Sequence, residues 1–126
     1  MTEARDLAAI LAVIEANIVS CVNVRPKFAE GSPQDTLLKN RIKALEISAS
    51  LLENKANKSK FSKEELQAAQ APIQSIMHKS EKAILKFKPG HPAHTRLDKL
   101  IAAMKLSESA LNDAIENRIT RIFRRH

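Results

Sequence analysis

The stretch FAEGSPQDTLL at residues 28–38 recurs as FKPGHPAHTRL at residues 87–97, and this recurrence decides the predicted fold. The shared pattern is FxxGxPxxTxL. The identity continues without gaps, so that ten of the 27 positions from 28 to 54 match those from 87 to 113, whereas composition alone gives about two. A weaker match in the same register pairs Ile14 with Ile73. The sequence therefore predicts a tandem duplication, with residues 1–60 as repeat one and residues 61–126 as repeat two.

Each repeat is predicted to be a helix, a turn and a second helix. Gly31 and Gly90 tolerate the left-handed backbone that a tight turn needs, and a proline two residues later suits the first position of a helix. Apolar residues then recur at spacings of three and four, as in Leu38, Ile42 and Leu45, which is typical of a helix with one buried face. Short connections favour antiparallel neighbours. We therefore predict an all-α, antiparallel up-down four-helix bundle formed by a tandem duplication of an αα-hairpin.

Three finer features follow from the same pattern. Ser62 with Glu65 three residues later predicts a capping box at the start of the third helix. In a square bundle, helices 2 and 4 are expected to be diagonal and about 12–14 Å apart. The first helix is expected to bury the apolar positions Leu7, Leu11, Ile14, Ile18 and Val22.

Composition points to one domain spanning residues 1–126 with an aliphatic core, since 44% of the chain is hydrophobic but it contains no Trp or Tyr. The single cysteine, Cys21, excludes an internal disulfide and is expected to be a core thiol in a reducing compartment. The apolar run from residue 7 to residue 24 is interrupted by Glu15 and Asn17. We therefore expect a cytoplasmic protein with no signal peptide, no membrane span and no membrane partner.

The sequence offers no recognisable catalytic constellation. Four histidines, one cysteine and scattered acids form no triad order, phosphate-binding loop or metal-ligand spacing, so the protein is expected not to be an enzyme and to use no cofactor. His91 and His94 form an HxxH pair, but two ligands do not make a metal site. We interpret them as surface histidines at the start of a helix.

The two GxP turns provide a candidate anion site. Helix N-termini attract anions, and helices 2 and 4 both begin at these turns. The residues assigned to this candidate site are basic or histidine side chains close to the turns in sequence: Lys27, Lys86, Lys88, His91 and His94. A small phosphorylated or carboxylated ligand is one alternative, and simple turn chemistry is the other.

The opposite end of the predicted bundle is basic and provides a candidate nucleic-acid site. The chain carries a net charge of +7, and lysines of the connector should lie beside arginines of the last helix. The assigned residues are Lys55, Lys58, Lys60, Lys63, Arg118, Arg121, Arg124 and Arg125. Such an end can grip phosphates, although no aromatic side chain is available to stack on bases and the charges also complement a helix dipole.

The leading hypothesis is a non-catalytic interaction or regulatory module that binds another protein or itself. The segment from residue 31 to residue 48 resembles short helical segments of small bacterial proteins, and this resemblance implies no activity. Two surfaces are expected to make contacts. One carries Leu37, Arg41, Arg96 and Leu100, where an apolar residue and an arginine exchange places between the repeats, and the other is the amphipathic tail from Ile115 to Phe123.

Overall fold

The computed structural model describes residues 4–124, with side chains described at 6–54, 56–57 and 60–118. This part of the chain forms four α-helices and no strand. They are α1 (Ala4–Val24), α2 (Pro33–Glu53), α3 (Lys63–Ile84) and α4 (Pro92–Arg124), and short 3₁₀ helices follow α1 (Arg25–Lys27) and α2 (Lys55–Lys60). The all-α prediction is confirmed, and the four helices are compatible with a helical bundle.

The turns before α2 and α4 have the same backbone geometry. Gly31 and Gly90 have φ angles of 79° and 94°, in the region that only glycine occupies without steric cost. The N–H of Phe28 donates to the carbonyl of Arg25 at 3.1 Å, and the N–H of Phe87, 59 positions later, donates to Ile84 at 3.1 Å. Each turn is followed by a helix whose first residue is proline, as the sequence predicted.

The start of α3 is fixed by the predicted capping box. The Ser62 hydroxyl accepts the N–H of Glu65 at 3.0 Å, and the Glu65 carboxylate accepts the N–H of Ser62 at 3.0 Å. Two of the backbone donors that every helix leaves free at its N-terminus are thereby satisfied.

The core is aliphatic and contains residues from all four helices. Its largest fully buried side chains are Ile14, Leu45, Leu66, Ile73, Met104 and Leu111. Two fully buried serines accompany them: Ser48 donates its hydroxyl to the carbonyl of Ala44 and Ser107 to that of Ala103, each at 2.8 Å. Because each hydroxyl bonds within its own helix, both can be buried without a large desolvation cost.

Helices α2 and α4 are in direct contact, so the expected separation across a square bundle is wrong. Small residues are buried on both helices, namely Ala44 and Ser48 on α2 and Ala103 and Ser107 on α4. Small side chains permit close approach of two helix axes. The most extensive helix pair is α3 with α4, whereas α1 contacts α4 over a shorter stretch.

The buried face of α1 differs from the prediction. Ile14 and Cys21 are buried, and Leu11 and Ile18 are only partly covered. Val22, expected in the core, is 49% exposed. The helix is apolar over most of its circumference, so the three-and-four spacing did not identify which side faces the core.

Candidate interaction surface

The outer face of α1 is apolar and exposed to solvent. Val19 and Val22 are 47% and 49% exposed, and Glu15 is the only charged residue between positions 7 and 24. The helical stretch Asp6–Lys27 has a mean hydropathy of 2.0, with 11% of its most apolar window buried. Among the described residues it is the one helix whose length and composition would allow it to cross a membrane, although Glu15 and Asn17 within it led us to expect no such span.

The corresponding face of α3 is polar. Positions 59 residues after exposed residues of α1 carry His78 in place of Val19, Lys79 in place of Ser20, Glu81 in place of Val22 and Lys82 in place of Asn23, and all eight residues are exposed. A solvated helix normally presents charged and polar residues on its outer side. Helix α3 follows this rule and α1 does not.

An open groove runs between α1 and α4. It is lined on α1 by Ala9, Ile10, Ala12, Val13 and Ala16, and on α4 by Lys99 and Ala102, with a volume of about 470 Å³. A second depression of about 310 Å³ continues it past Asn17 and Ser20 to Arg96, Leu97 and Leu100. The floor is mostly apolar, and the two basic residues Arg96 and Lys99 stand on its α4 side.

The seam between α2 and α3 is narrower and carries an ion pair. Lys43 on α2 lies 3.5 Å from the Glu65 carboxylate on α3, beside a depression of about 190 Å³. The N–H of Ser62 and the charge of Lys43 hold the pKa of Glu65 below its usual range, so the carboxylate is charged at neutral pH. The positions of the α1–α4 seam that match this ion pair are Ala102, 59 residues after Lys43, and Asp6, 59 residues before Glu65. No lysine stands at the first of them.

The first GxP turn carries its own carboxylate. Asp35 is buried and accepts the N–H of Gly31 at 2.9 Å and the Arg25 guanidinium at 2.7 Å. These two contacts, with the backbone bond the larger, lower the Asp35 pKa. Lys27, assigned to the anion site, is exposed at this turn. Because Asp35 already supplies a negative charge there, the turn offers an external anion less than the sequence suggested.

The second GxP turn is held by histidine. The Nδ1 atom of His91 accepts the N–H of Ala93 at 3.0 Å and so caps α4, and its ring lies 5.0 Å from that of Phe87. His94 is partly buried, while Lys86 and Lys88 are exposed. The structure thus places the predicted anion-site residues at two separately capped turns and does not show them converging on one point.

At the predicted basic end, Arg118 of α4 meets the connector. Its Nη2 atom donates to the carbonyl of Phe61. Part of the guanidinium is therefore engaged by the protein's own backbone. Lys60 is exposed and Lys63 is partly buried. The backbones of Lys55 and Lys58 lie in the connector and those of Arg121 and Arg124 in the last turns of α4, but their side chains, like the whole of Arg125, lie outside the described residues. Of the predicted tail from Ile115 to Phe123, the helical backbone is described throughout and the side chains through Arg118. Ile115 packs against the core.

The face on which leucine and arginine exchange places is divided between two environments. Arg96 and Leu100 border the α1–α4 groove. Leu37 is exposed, and Arg41 is partly buried with no hydrogen-bond partner for its Nε and Nη2 atoms. The predicted half-buried character of this face is thus seen at Arg41 and Leu100.

The lone thiol is buried, as the sequence predicted. Cys21 is buried, and this burial raises its pKa, with a smaller opposing influence from Arg41. A thiol with a raised pKa is a poor nucleophile at neutral pH. Among the residues that the structure describes, no three metal-binding side chains come together.

The sequence pattern did not predict the groove, because its alanines are small and do not form a stripe of large apolar residues. A different signal was present in the sequence: residues 16–24 contain no charge, whereas the matched residues 75–83 contain three charged side chains and a histidine. Comparison of the chain with protein-family models, curated proteins and solved structures finds no match. The function of the protein is therefore inferred from the outer face of α1 and the α1–α4 groove.

Proposed function

We propose that this protein is a non-catalytic helical module that binds another protein or itself through the outer face of α1 and the α1–α4 groove. The observation that carries the proposal is the contrast between matched helices: α1 exposes Val19 and Val22 where α3 exposes His78 and Glu81. Contiguous exposed apolar surface is uncommon on monomeric soluble proteins and typically marks a binding site.

The groove adds shape to this apolar face. Alanines at positions 9, 12 and 16 leave room for a helix to approach closely, and the exposed Val19 continues the apolar surface beyond them. An amphipathic helix can place its apolar side chains in such a groove and leave its polar face in solvent. The proposed ligand is therefore helical, and its contacts are mainly apolar with charged contacts at the rim.

We also propose that residues 1–126 form one domain that arose by tandem duplication of an αα-hairpin with antiparallel, up-down helices. Matched backbone hydrogen bonds at the two GxP turns support this history. Matched buried residues support it further, since Ile14 and Ile73, Ala44 and Ala103, and Ser48 and Ser107 are all 59 positions apart and almost completely buried. On this view the surface of α1 diverged from that of α3 after the duplication.

The proposed binding surface is tested by giving α1 the outer residues of α3. The variant Val19→His, Ser20→Lys, Val22→Glu, Asn23→Lys changes only exposed positions, so its thermal unfolding should match that of the native chain within a few degrees. Immobilised native protein should retain proteins from the cells that produce it, itself included, which the variant does not retain. Retained proteins are identified and quantified by mass spectrometry.

A matched control keeps the number of substitutions constant. Exchanging His78 and Lys79, and Glu81 and Lys82, within α3 alters exposed residues without making the face apolar, and this control should retain what the native chain retains. If the α1 variant folds and retains the same proteins as the native chain, the proposed surface is wrong.

Nucleic-acid binding by the basic end is a second candidate. The bond from Arg118 to the Phe61 carbonyl favours it, because this bond brings the last helix against the lysine-bearing connector. A gel shift with random-sequence duplex at 50 mM and 200 mM salt tests it, since phosphate contacts weaken steeply as salt rises. Lys58→Glu with Lys60→Glu should abolish the shift, whereas Lys86→Glu with Lys88→Glu at the far turn should not.

The cytoplasm is the compartment we propose for this activity. The single thiol is buried and unpaired, which suits a reducing environment. Fractionation of producing cells, with detection of the native chain in each fraction, tests the assignment.

A further inference from the structure

We infer that the occupant of the α1–α4 groove is a second copy of this chain, with the two α1 helices parallel and related by a two-fold axis along their length. This inference rests on the proposed function, because it names the partner of that surface. The charges on the two sides of the surface and the shape of the groove both favour a second copy.

The surface has sides of opposite charge. Lys99 lines the groove on its α4 side, level with α1 residues 9–16 and also with residues 13–20, so its height is close to that of Glu15. Residues on a helix advance about 100° each, which places Glu15 about 100° around α1 from Ala16, on the side away from Val13 and α4. Glu15 and Lys99 are both exposed.

A two-fold axis parallel to the helices brings each side against the opposite side of the partner. The Lys99 side of one copy then faces the Glu15 side of the other at the same height, and this happens twice. An antiparallel pairing instead sets Lys99 against Lys99 and Glu15 against Glu15. The parallel arrangement is therefore the one in which charge is self-complementary.

Groove shape selects the same arrangement. When the axis runs along the helices and is displaced towards α4, each α1 lies in the groove between α1 and α4 of the partner. A two-fold axis perpendicular to the helices makes the two α1 helices antiparallel. It stacks one α1 directly on the other and leaves both grooves unfilled. Ala9 and Ala16 permit the close approach that the parallel packing requires, because their side chains add little bulk between the backbones.

Other occupants satisfy the surface less well. An acidic helix pairs with Lys99 and Arg96 but is repelled at Glu15. A lipid surface prefers helices that present large side chains such as Trp, Phe or Leu, whereas this face carries the small residues Ala8, Ala12 and Ala16, with Glu15 on one side. The helix is about 31 Å long, which limits the buried area, so we expect a reversible dimer rather than a permanent one.

Charge reversal tests the inference by sedimentation equilibrium of the full chain. Glu15→Lys makes both sides basic and Lys99→Glu makes both acidic, so each variant alone should dimerise roughly tenfold more weakly than the native chain. In an equimolar mixture the basic sides of one variant meet the acidic sides of the other, and association should return to near the native level. Both residues are exposed, and circular dichroism of each variant checks that it remains folded.

A cysteine experiment tests the direction of the helices. In a Cys21→Ser background, Ala9→Cys and Ala16→Cys should each form a disulfide-linked dimer under mild oxidation, because a parallel two-fold brings every such position beside its own copy. An antiparallel pair can link only one of them. Linkage of one position alone would overturn the parallel arrangement.

Three results would overturn the choice of a second copy. They are a native chain that stays monomeric at high concentration, a mixture that associates no better than its components, and a monomer that floats with phosphatidylglycerol vesicles in a manner abolished by Val19→His. If the chain is monomeric yet the capture experiment still separates native protein from the polar α1 variant, the proposed function stands with another partner. Failure of both experiments removes both proposals.

Discussion

The α2–α3 seam and the α1–α4 seam occupy matched stretches of sequence but end differently at the surface. The first is crossed by Lys43 and Glu65, and the second has Ala102 and Asp6 at the matched positions beside a groove with more than twice the volume. The two seams thus differ at their edges: one is crossed by an ion pair, and the other is open as a groove. On the duplication proposed above, changes at such edge positions, more than changes in the core, separate the open seam from the closed one.

The largest loss of stability is expected from substitutions in the core beneath the two seams. Ile14 and Ile73 are matched and fully buried, so replacing either with alanine should lower the free energy of unfolding by about 2–5 kcal/mol. The loss should be smaller at Ile14, because α1 packs less extensively than α3 against α2 and α4 and can collapse more easily into the cavity. Urea unfolding at low protein concentration measures both. An equal or larger loss at Ile14 would show that α1 is held as firmly as α3.

The next largest effect on stability is expected at the GxP turns, and it depends on pH. The two turns differ, because Asp35 follows the first and His94 stands at the matched position after the second. The folded-state pKa of Asp35 is lowered, so its carboxylate stabilises the fold above the ordinary pKa of about 3.9 and loses this contribution as pH falls through the folded-state value. Asp35→Asn should therefore lower the melting temperature at pH 7, with the difference from native narrowing below about pH 4. Asp98→Asn, an exposed change, serves as the control. A difference that does not depend on pH would contradict the assignment.

A smaller effect is expected at the closed seam. Lys43→Ala removes a partly solvated ion pair whose lysine side chain is 63% exposed, so it should cost at most about 0.5 kcal/mol, and 1 M salt should remove most of the difference. Urea unfolding at two salt concentrations provides the measurement. A cost above about 2 kcal/mol would show that this bridge, rather than the core, holds α2 to α3.

The smallest effect on stability is expected at the open seam. Ala102 is exposed, so Ala102→Lys should change the free energy of unfolding by less than about 0.5 kcal/mol. The new side chain gives the α1–α4 seam the residue that the other seam carries and occupies the groove. Sedimentation should therefore show weaker self-association, and unaltered association would indicate that the groove is not used.

Sequence alone predicted what depends on local chemistry. The capping box of Ser62 and the glycine turns involve neighbours in the chain, and the burial of Cys21 follows from its apolar surroundings. The side of α1 that faces the core could not be chosen, because Val22 is as apolar as Cys21 and only packing against α2 and α4 separates them. The contact between α2 and α4 likewise depends on long-range packing of small buried residues such as Ala44 and Ala103. The groove itself requires two helices whose distance no local pattern specifies.

The buried serines have a consequence for how the chain can be divided. Because Ser48 and Ser107 each donate to a carbonyl of their own helix, neither half relies on the other to satisfy these hydroxyls, and the exposed connector at Lys60 lies between the halves. What one half requires from the other at these positions is a complementary apolar surface. We therefore expect residues 1–60 and residues 61–126, produced as separate fragments, to recognise each other through this surface and to reconstitute the fold.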